Sequence, residues 1–366
     1  MEKLKEIVKY LPAGWQEQAR EQKALVRGRT IKTAEQLLEL NLLHLTEGGS
    51  FGVTASYLNF ATKTEISKQS VYERIQNSWS WLKWMTEAMC RENQFTMEKP
   101  DWLDRELVTV DGSELCVCGS KQGDYWFHCA FDIFKFTYRT IEITDINEGE
   151  KLSRHMIKPG DIVLGDRMYG NIQGMEHVKK YGGDFILRYR TKGFNVYDEN
   201  GVKINLLERF KGLTPMESMS LDCFYHSEGK KHPVRFVAMR KDEESAKAAQ
   251  RKMTRKLSKQ RGKVPSQEAL ELNQYIVLAT SLAYSDDRIL ELYRARWQIE
   301  QVFLRLKELY SFGDVPSKNP DSVKAWFYGK LFLAVLGETI LKRECFSPEK
   351  QNLMRSLGII EFMESS

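Results

Sequence analysis

From Glu106 onward the hydrophobic residues of this chain recur at every second position, and no other feature of the sequence limits its fold as much. The runs LVTVDGS, LCVCGS, DYWFHCAFDIF and TYRTIEITD are rich in Val, Ile, Thr and aromatics, with Gly or polar breaks between them, which predicts an antiparallel meander. A βαβ-like passage follows: DIVLGD (161–166), a helix from Asn171 to Tyr181, and DFILRYR, with both strands read as inner ones. The predicted sheet is therefore mixed and carries helices on its faces. Ahead of it, residues 1 to about 100 look helical: TAEQLLELNLLHL has three- and four-residue apolar spacing, and SVYERIQNSWSWLKWMTEAM repeats it after the break TEGGSFG.

Between those helices, residues 50–75 have the helix, polar turn, helix rhythm of a helix-turn-helix, with Lys63, Lys68, Gln69, Ser70, Tyr72 and Arg74 available to DNA. Three-helix units without that function share the same rhythm. Residues 191–273 interrupt the sheet pattern with short strand-like pieces, MSLDCFYH and HPVRFVAM, and with a basic segment. Between Ser245 and Gln267 stand eight Lys or Arg and no acid. Such a block is either a solvated face or a means of neutralising phosphates, and Arg251, Lys252, Arg255 and Lys256 are the candidates for the second role. YIVLATSL (275–282) returns as a strand, and an apolar helix from Ser322 to Lys342 closes the body.

At 366 residues, 42% hydrophobic and 29% charged, the chain is expected to fold as two or three units. Lys plus Arg number 55 against 50 Asp plus Glu, a mild excess that permits a polyanionic partner. Six cysteines show no paired spacing, so a reducing cytoplasm is expected, with Cys116 and Cys118 as buried or half-buried strand thiols. No run approaches about 18 apolar residues, so no membrane span and no export are expected. The histidines lack H-x₃-H and HExxH spacing, and no Gly-rich phosphate loop is present, which leaves zinc hydrolysis and ATP-driven chemistry without support.

The segment YRARWQIEQVFLRLK, Tyr293 to Lys307, reads as one amphipathic helix. At about 100° per residue, Tyr293, Arg296, Glu300 and Lys307 fall within roughly a 60° arc. Ile299, Val302, Phe303, Leu304 and Leu306 seat the helix on a core. Arg296 and Glu300 alone would be an ordinary surface ion pair, but four such residues on one face call for partners. Asp111 at the end of LVTV and Asp166 at the end of DIVLG are strand-end carboxylates, read either as turn residues or as directed ligands. With Glu300 they make three carboxylates from three elements. Hard oxygen donors of this kind favour Mg²⁺ or Mn²⁺, and two such ions about 3.5–4 Å apart promote in-line phosphoryl displacement.

Asp111, Asp166 and Glu300, with the spacing Tyr293-x₂-Arg296-x₃-Glu300-x₆-Lys307 and the contexts VDGS and LGDRMYGN, resemble the DDE transposases of bacterial insertion sequences that carry the Tyr-Arg-Glu-Lys signature. The resemblance runs from about residue 35 to 342. It implies an α/β fold with a ribonuclease-H-like mixed sheet flanked by helices, a mostly β insertion domain and a helical N-terminal domain. The expected division is 1–100 for the helical DNA-binding domain, 101–190 and 274–345 for the two parts of the catalytic core, 191–273 for the basic, β-rich insertion, and 346–366 for a C-terminal tail.

The resemblance further implies a pair of Mg²⁺ ions, with Mn²⁺ as substitute, held by Asp111, Asp166 and Glu300, and phosphate contacts from Tyr293, Arg296 and Lys307. Trp297 would stack on a base displaced during hairpin formation or be a core tryptophan. Tyr169 would touch DNA or cap the following helix. Implied partners are double-stranded DNA, as terminal inverted repeats and as target, bound by a homodimer that works by cut-and-paste through a DNA hairpin. Two other readings stay open: a metal-dependent nuclease without strand transfer, and a catalytically silent DNA-binding protein of the same descent.

Overall fold

Where the hydrophobic period changes, helices give way to strands. The computed structural model describes residues 2–345 apart from 27–29, 48–49, 63–64, 93–94, 121, 191–193, 260–263, 311, 313–314 and 316, so Lys63 and the tail 346–366 lie outside the described residues. First come α1 (Glu2–Val8), α2 (Trp15–Glu21), α3 (Ala34–Glu47), α4 (Phe51–Thr62), α5 (Lys68–Asn77) and α6 (Trp79–Glu92). SVYERIQNSWSWLKWMTEAM, expected as one helix, is α5 and α6 with a turn at Ser78. The break has a local cause: the fully buried Ser78 hydroxyl donates to the Arg74 carbonyl oxygen at 2.7 Å and accepts from Asn41 Nδ2 at 3.1 Å.

The meander is β1 (Leu107–Leu115), β2 (Tyr125–Asp132) and β3 (Thr137–Asp145), paired antiparallel. Then β4 (Ile162–Gly165), α7 (Ile172–Lys180) and β5 (Asp184–Arg188) form a βαβ unit in which β4 pairs in parallel with both β1 and β5. Next are β6 (Val196–Tyr197), β7 (Lys203–Ile204), α8 (Leu206–Phe210), β8 (Ser218–Ser227), β9 (Lys230–Arg240), α9 (Glu243–Lys259) and α10 (Gln267–Leu272). The chain closes with β10 (Tyr275–Thr280), α11 (Asp286–Arg294), α12 (Trp297–Tyr310) and α13 (Pro320–Cys345).

Among the described residues, the ten strands belong to one mixed sheet in the order β3-β2-β1-β4-β5-β10-β9-β8-β6-β7. The β8–β9 hairpin is bonded to β10 from Tyr275↔Arg240 to Thr280↔Arg235, so residues 191–273 extend the sheet and add α8, α9 and α10 to it. One face of the sheet packs Val108, Val110, Val163, Phe185 and Phe236 against α7 and α8. The other face meets α11 through Leu107, Ile162, Ile186 and Leu278, and meets α12 and α13 through Leu115, Phe127 and Phe131. The N-terminal helices join that last cluster: Leu37, Leu38, Val71, Trp81 and Met85 share it with Phe327, Leu331 and Phe332 of α13.

Two expectations fail in detail. Asp111 does not end a strand; β1 runs on to Leu115 because its antiparallel ladder with β2 continues past the point where β4 stops. Cys116 and Cys118 are exposed rather than buried, since the strand ends before them and only Val117 turns inward.

Candidate active site

The register of two neighbouring strands brings the aspartates level. Parallel pairing of β1 with β4 ends at Thr109↔Leu164. Two residues further along each strand are Asp111 and Asp166, and adjacent strands lie about 4.8 Å apart. Asp111 shares parity with Leu107 and Leu115, whose side chains point to the face covered by α11 and α12, so its carboxylate meets the helix that carries Glu300. Arg296 is the link: Nη1 is 3.5 Å from Asp111 Oδ2, and Nη2 donates to Glu300 Oε1. The Asp111 carboxyl is pushed up to about 6 by burial and then by Asp166, with Glu300 adding to the rise and the Gly112 N–H and Arg296 opposing it. Charge from all three acids is therefore felt at one place.

Each aspartate is also fixed by its own backbone. Asp111 Oδ1 accepts from the Gly112 N–H at 2.9 Å, and Asp166 Oδ1 accepts from the Met168 N–H at 2.7 Å in a short Asx turn. Asn171 then starts α7 by accepting the Gly174 N–H at 2.9 Å.

YRARWQIEQVFLRLK is not a single helix. The chain turns at Ala295 and Arg296 between α11 and α12, with three-residue hydrogen bonds from Arg296 N to Tyr293 O (3.1 Å) and from Gln298 N to Ala295 O (3.0 Å). The two halves serve different cores: Ile289, Leu290 and Leu292 pack under the sheet centre, while Ile299, Val302, Phe303 and Leu306 pack with α13. The bend leaves Tyr293 with its hydroxyl buried near Asp166, Arg296 at the corner, and Glu300 one turn into α12. Lys307 is exposed further along α12, and Trp297 is 56% exposed, so it is not a core tryptophan.

Tyr169, a candidate for DNA contact, is fully buried on the α7 side of the sheet, which takes it out of reach of DNA. It stands instead against a fourth carboxylate, Glu150, that sequence reasoning missed. Glu150 approaches from the loop between β3 and β4; a Cβ on Gly112 would lie 2.6 Å from its Oε1, so glycine next to Asp111 makes room for it. Burial and then the charges of Asp166 and Asp111 raise Glu150 to about 7, with the Tyr169 hydroxyl and the Gly112 N–H working against the rise. The sequence signal was slight: an acid in a loop that must recross the sheet end.

The basic helix α9 presents Arg251, Lys252 and Arg255 to solvent, and the side chain of Lys256 lies outside the described residues. Its Gln250 Nε2 donates to the Leu270 carbonyl oxygen at 3.1 Å, which ties α9 to α10 and not to the acids. Among the described residues no three His, Cys, Asp or Glu side chains are already grouped as a metal cage, and no helix is long and apolar enough to cross a membrane. Between Asp111 and Glu300 in the acid cluster lies the Arg296 guanidinium. The donor set itself, carboxylates of which Asp111 and Glu150 are raised by burial and then by neighbouring acids, suits hard divalent cations.

Comparison with known proteins points the same way. Residues 102–336 match the family described as the transposase DDE domain. The chain is 26% identical over 335 residues to a transposase named InsL, for insertion sequence element IS186A of Escherichia coli K12, covering 88% of this chain and 89% of that one. It is likewise 26% identical to the transposase for element IS421 of Escherichia coli over 336 residues, with the same coverage. The transposase for element IS231F of Bacillus thuringiensis subsp. israelensis is 23% identical over 231 residues, 56% of this chain and 48% of that one.

Proposed function

Because the chain belongs to the transposase DDE domain family, metal-dependent enzymes of DNA cleavage and transfer, we propose that it moves an insertion sequence by cutting the element's terminal inverted repeats and joining them to target DNA. In this reading β1 to β5, in the order 3-2-1-4-5, are the ribonuclease-H-like core, and Asp111, Asp166 and Glu300 hold two Mg²⁺ or Mn²⁺ ions, with Glu150 at their border. When bound, the ions activate the attacking oxygen and steady the leaving one. The observation that carries this is the level register of Asp111 and Asp166 with Arg296 joining Asp111 to Glu300.

The protein's own groups then divide the remaining work. Arg296 exchanges its carboxylates for a DNA phosphate, which its planar guanidinium suits, and Lys307 takes a phosphate further along α12. Tyr169 and the Gly112 backbone border Glu150. Exposed Lys68 and Gln69, on the first turn of α5, read the inverted repeat from the N-terminal helices. Two copies of the chain pair two ends. Incubating the protein with a pre-cut repeat end, a target plasmid and Mg²⁺ is expected to give joined product; cleavage without joining would make it a nuclease, and neither would make it a binding protein.

Cut-and-paste through a hairpin needs a surface for an unstacked base, and the exposed Trp297 beside Arg296 provides one. Trp297→Ala is expected to lower hairpin formation about 10- to 100-fold while first-strand nicking stays as in wild type. Equal loss of both steps on a denaturing gel would assign Trp297 to general DNA binding instead.

The α9 cations serve flanking DNA without touching the acids. Replacing Arg251, Lys252, Arg255 and Lys256 with Ala is expected to flatten the dependence of log K on log salt, by about 0.9 for each phosphate that is no longer neutralised. An unchanged slope would return α9 to a solvated face.

A further inference from the structure

Beside Asp166 and Tyr293 three cations gather that the signature does not include. Arg167 follows Asp166 in the turn after β4, Arg188 ends β5, and Lys241 follows β9. The turn is drawn down onto β5: a Cβ on Gly170 would stand 2.4 Å from the Arg188 carbonyl oxygen, so only glycine allows this approach. Buried Asn273 holds the other two cations together, accepting from Arg167 Nη2 on its side-chain oxygen at 3.0 Å and from Lys241 Nζ on its carbonyl oxygen at 2.7 Å. Both bonds go to a neutral partner.

The cluster is costly as it stands. Burial, followed by Arg188 and Arg167, lowers Lys241 to about 8. Arg167 Nε, Arg188 Nε and the Tyr293 hydroxyl are all buried without a hydrogen-bond partner among the described residues. Buried donors left unpaired are rare in folded proteins because each forfeits its hydration, and like charges crowded together add to that cost. Three orphan donors and three cations at one place match a single kind of occupant, an anion with several acceptor oxygens.

We propose that Arg167, Arg188 and Lys241, with the Tyr293 hydroxyl, form a seat for a DNA phosphodiester next to Asp166. This rests on the reading of the protein as a DNA transposase. The two guanidinium groups offer paired donors to a phosphate, Lys241 adds a point charge, and Tyr293 ties this seat to the acids and Arg296. A strand held here is anchored at the ends of β4, β5 and β9, so it enters the acid cluster in a fixed position.

The test uses the full chain with Ca²⁺, which holds DNA without cutting it, and a mixed-sequence duplex titrated at several salt concentrations; a parallel arm melts the DNA-free protein with and without inorganic phosphate. Arg188→Gln and Lys241→Gln are each expected to lower the salt slope by about 0.9 and to weaken binding to all sequences alike. They should also abolish stabilisation by phosphate, and the DNA-free variants should melt higher than wild type because a repelled charge is gone. Variants with the wild-type slope and phosphate response would overturn the seat. So would a lower melting temperature with an unchanged slope, which would make the cations part of the fold alone. A wild type stabilised by phosphate through these residues but unable to hold DNA would sink the transposase reading and leave the anion seat standing.

Discussion

Asp111→Asn is expected to abolish DNA cleavage and joining, by at least about 10³-fold, while making the metal-free protein more stable at pH 7.5. Both effects have one origin. The Asp111 carboxyl is raised from 3.8 to about 6, so the folded chain holds that proton more tightly than the unfolded chain does. Stability from this group is complete below 3.8 and is lost as the pH rises through about 6. Near neutral pH the charged carboxylate costs on the order of 1–3 kcal/mol. Glu150, raised from 4.5 to about 7, behaves the same way and shifts the window upward. Thermal melts of metal-free wild type should therefore rise between pH 7.5 and 5.5, and Asp111→Asn should reduce this rise and melt higher at pH 7.5. An Asn variant that melts lower at pH 7.5 would show Asp111 to be a structural anchor, whatever happened to activity.

Removing residues 1–95 is expected to give an insoluble chain and not a free catalytic domain. The N-terminal helices and α13 have one core, so the cut would bare Phe327, Leu331 and Phe332 together. Each buried side chain of that size is worth about 1.5–3 kcal/mol, set against a total stability of about 5–15 kcal/mol. The packing is close and specific: Lys330 Nζ donates to the Leu45 carbonyl oxygen at 2.8 Å, Trp79 stacks on Tyr328 at 5.9 Å, and a Cβ on Gly329 would lie 2.5 Å from Leu45 Cδ2. Gly329→Leu is the point-mutant form of the same experiment and is expected to cost about 1–3 kcal/mol in urea unfolding. A soluble 96–366 fragment with a cooperative unfolding transition would refute the shared core. It follows that the proposed DNA recognition by the N-terminal helices is better probed with Lys68 and Gln69 variants than with truncations.

What could be read from the chain depended on the range of the forces involved. Local periodicity was enough for β2 and β3, for the βαβ passage and for α7, because each alternates or repeats within its own length, but it split β1 into the two runs LVTVDGS and LCVCGS. Asp166 was placed correctly at a strand end, since the Asx turn and Asn171 cap that follow it are local. Asp111 was misread because its strand continues only through pairing with β2, a partner that periodicity cannot see. The bend between α11 and α12 was hidden for a similar reason: both halves keep helical spacing, and only the two separate cores they meet demand the turn. Glu150 and the cations at Arg188 and Lys241 were illegible, since strand order alone brings residues 150, 188 and 241 to the same end of the sheet as 111 and 166.

The geometry of the three acids is best put to the test by soaking Mn²⁺ into crystals of the protein with a pre-cut DNA end and recording anomalous scattering. Manganese peaks are expected among Asp111, Asp166 and Glu300, with the Arg296 guanidinium turned from those carboxylates to a DNA phosphate. A saturated crystal with DNA in place, Arg296 still clamped between Asp111 and Glu300, and manganese elsewhere or nowhere would contradict it.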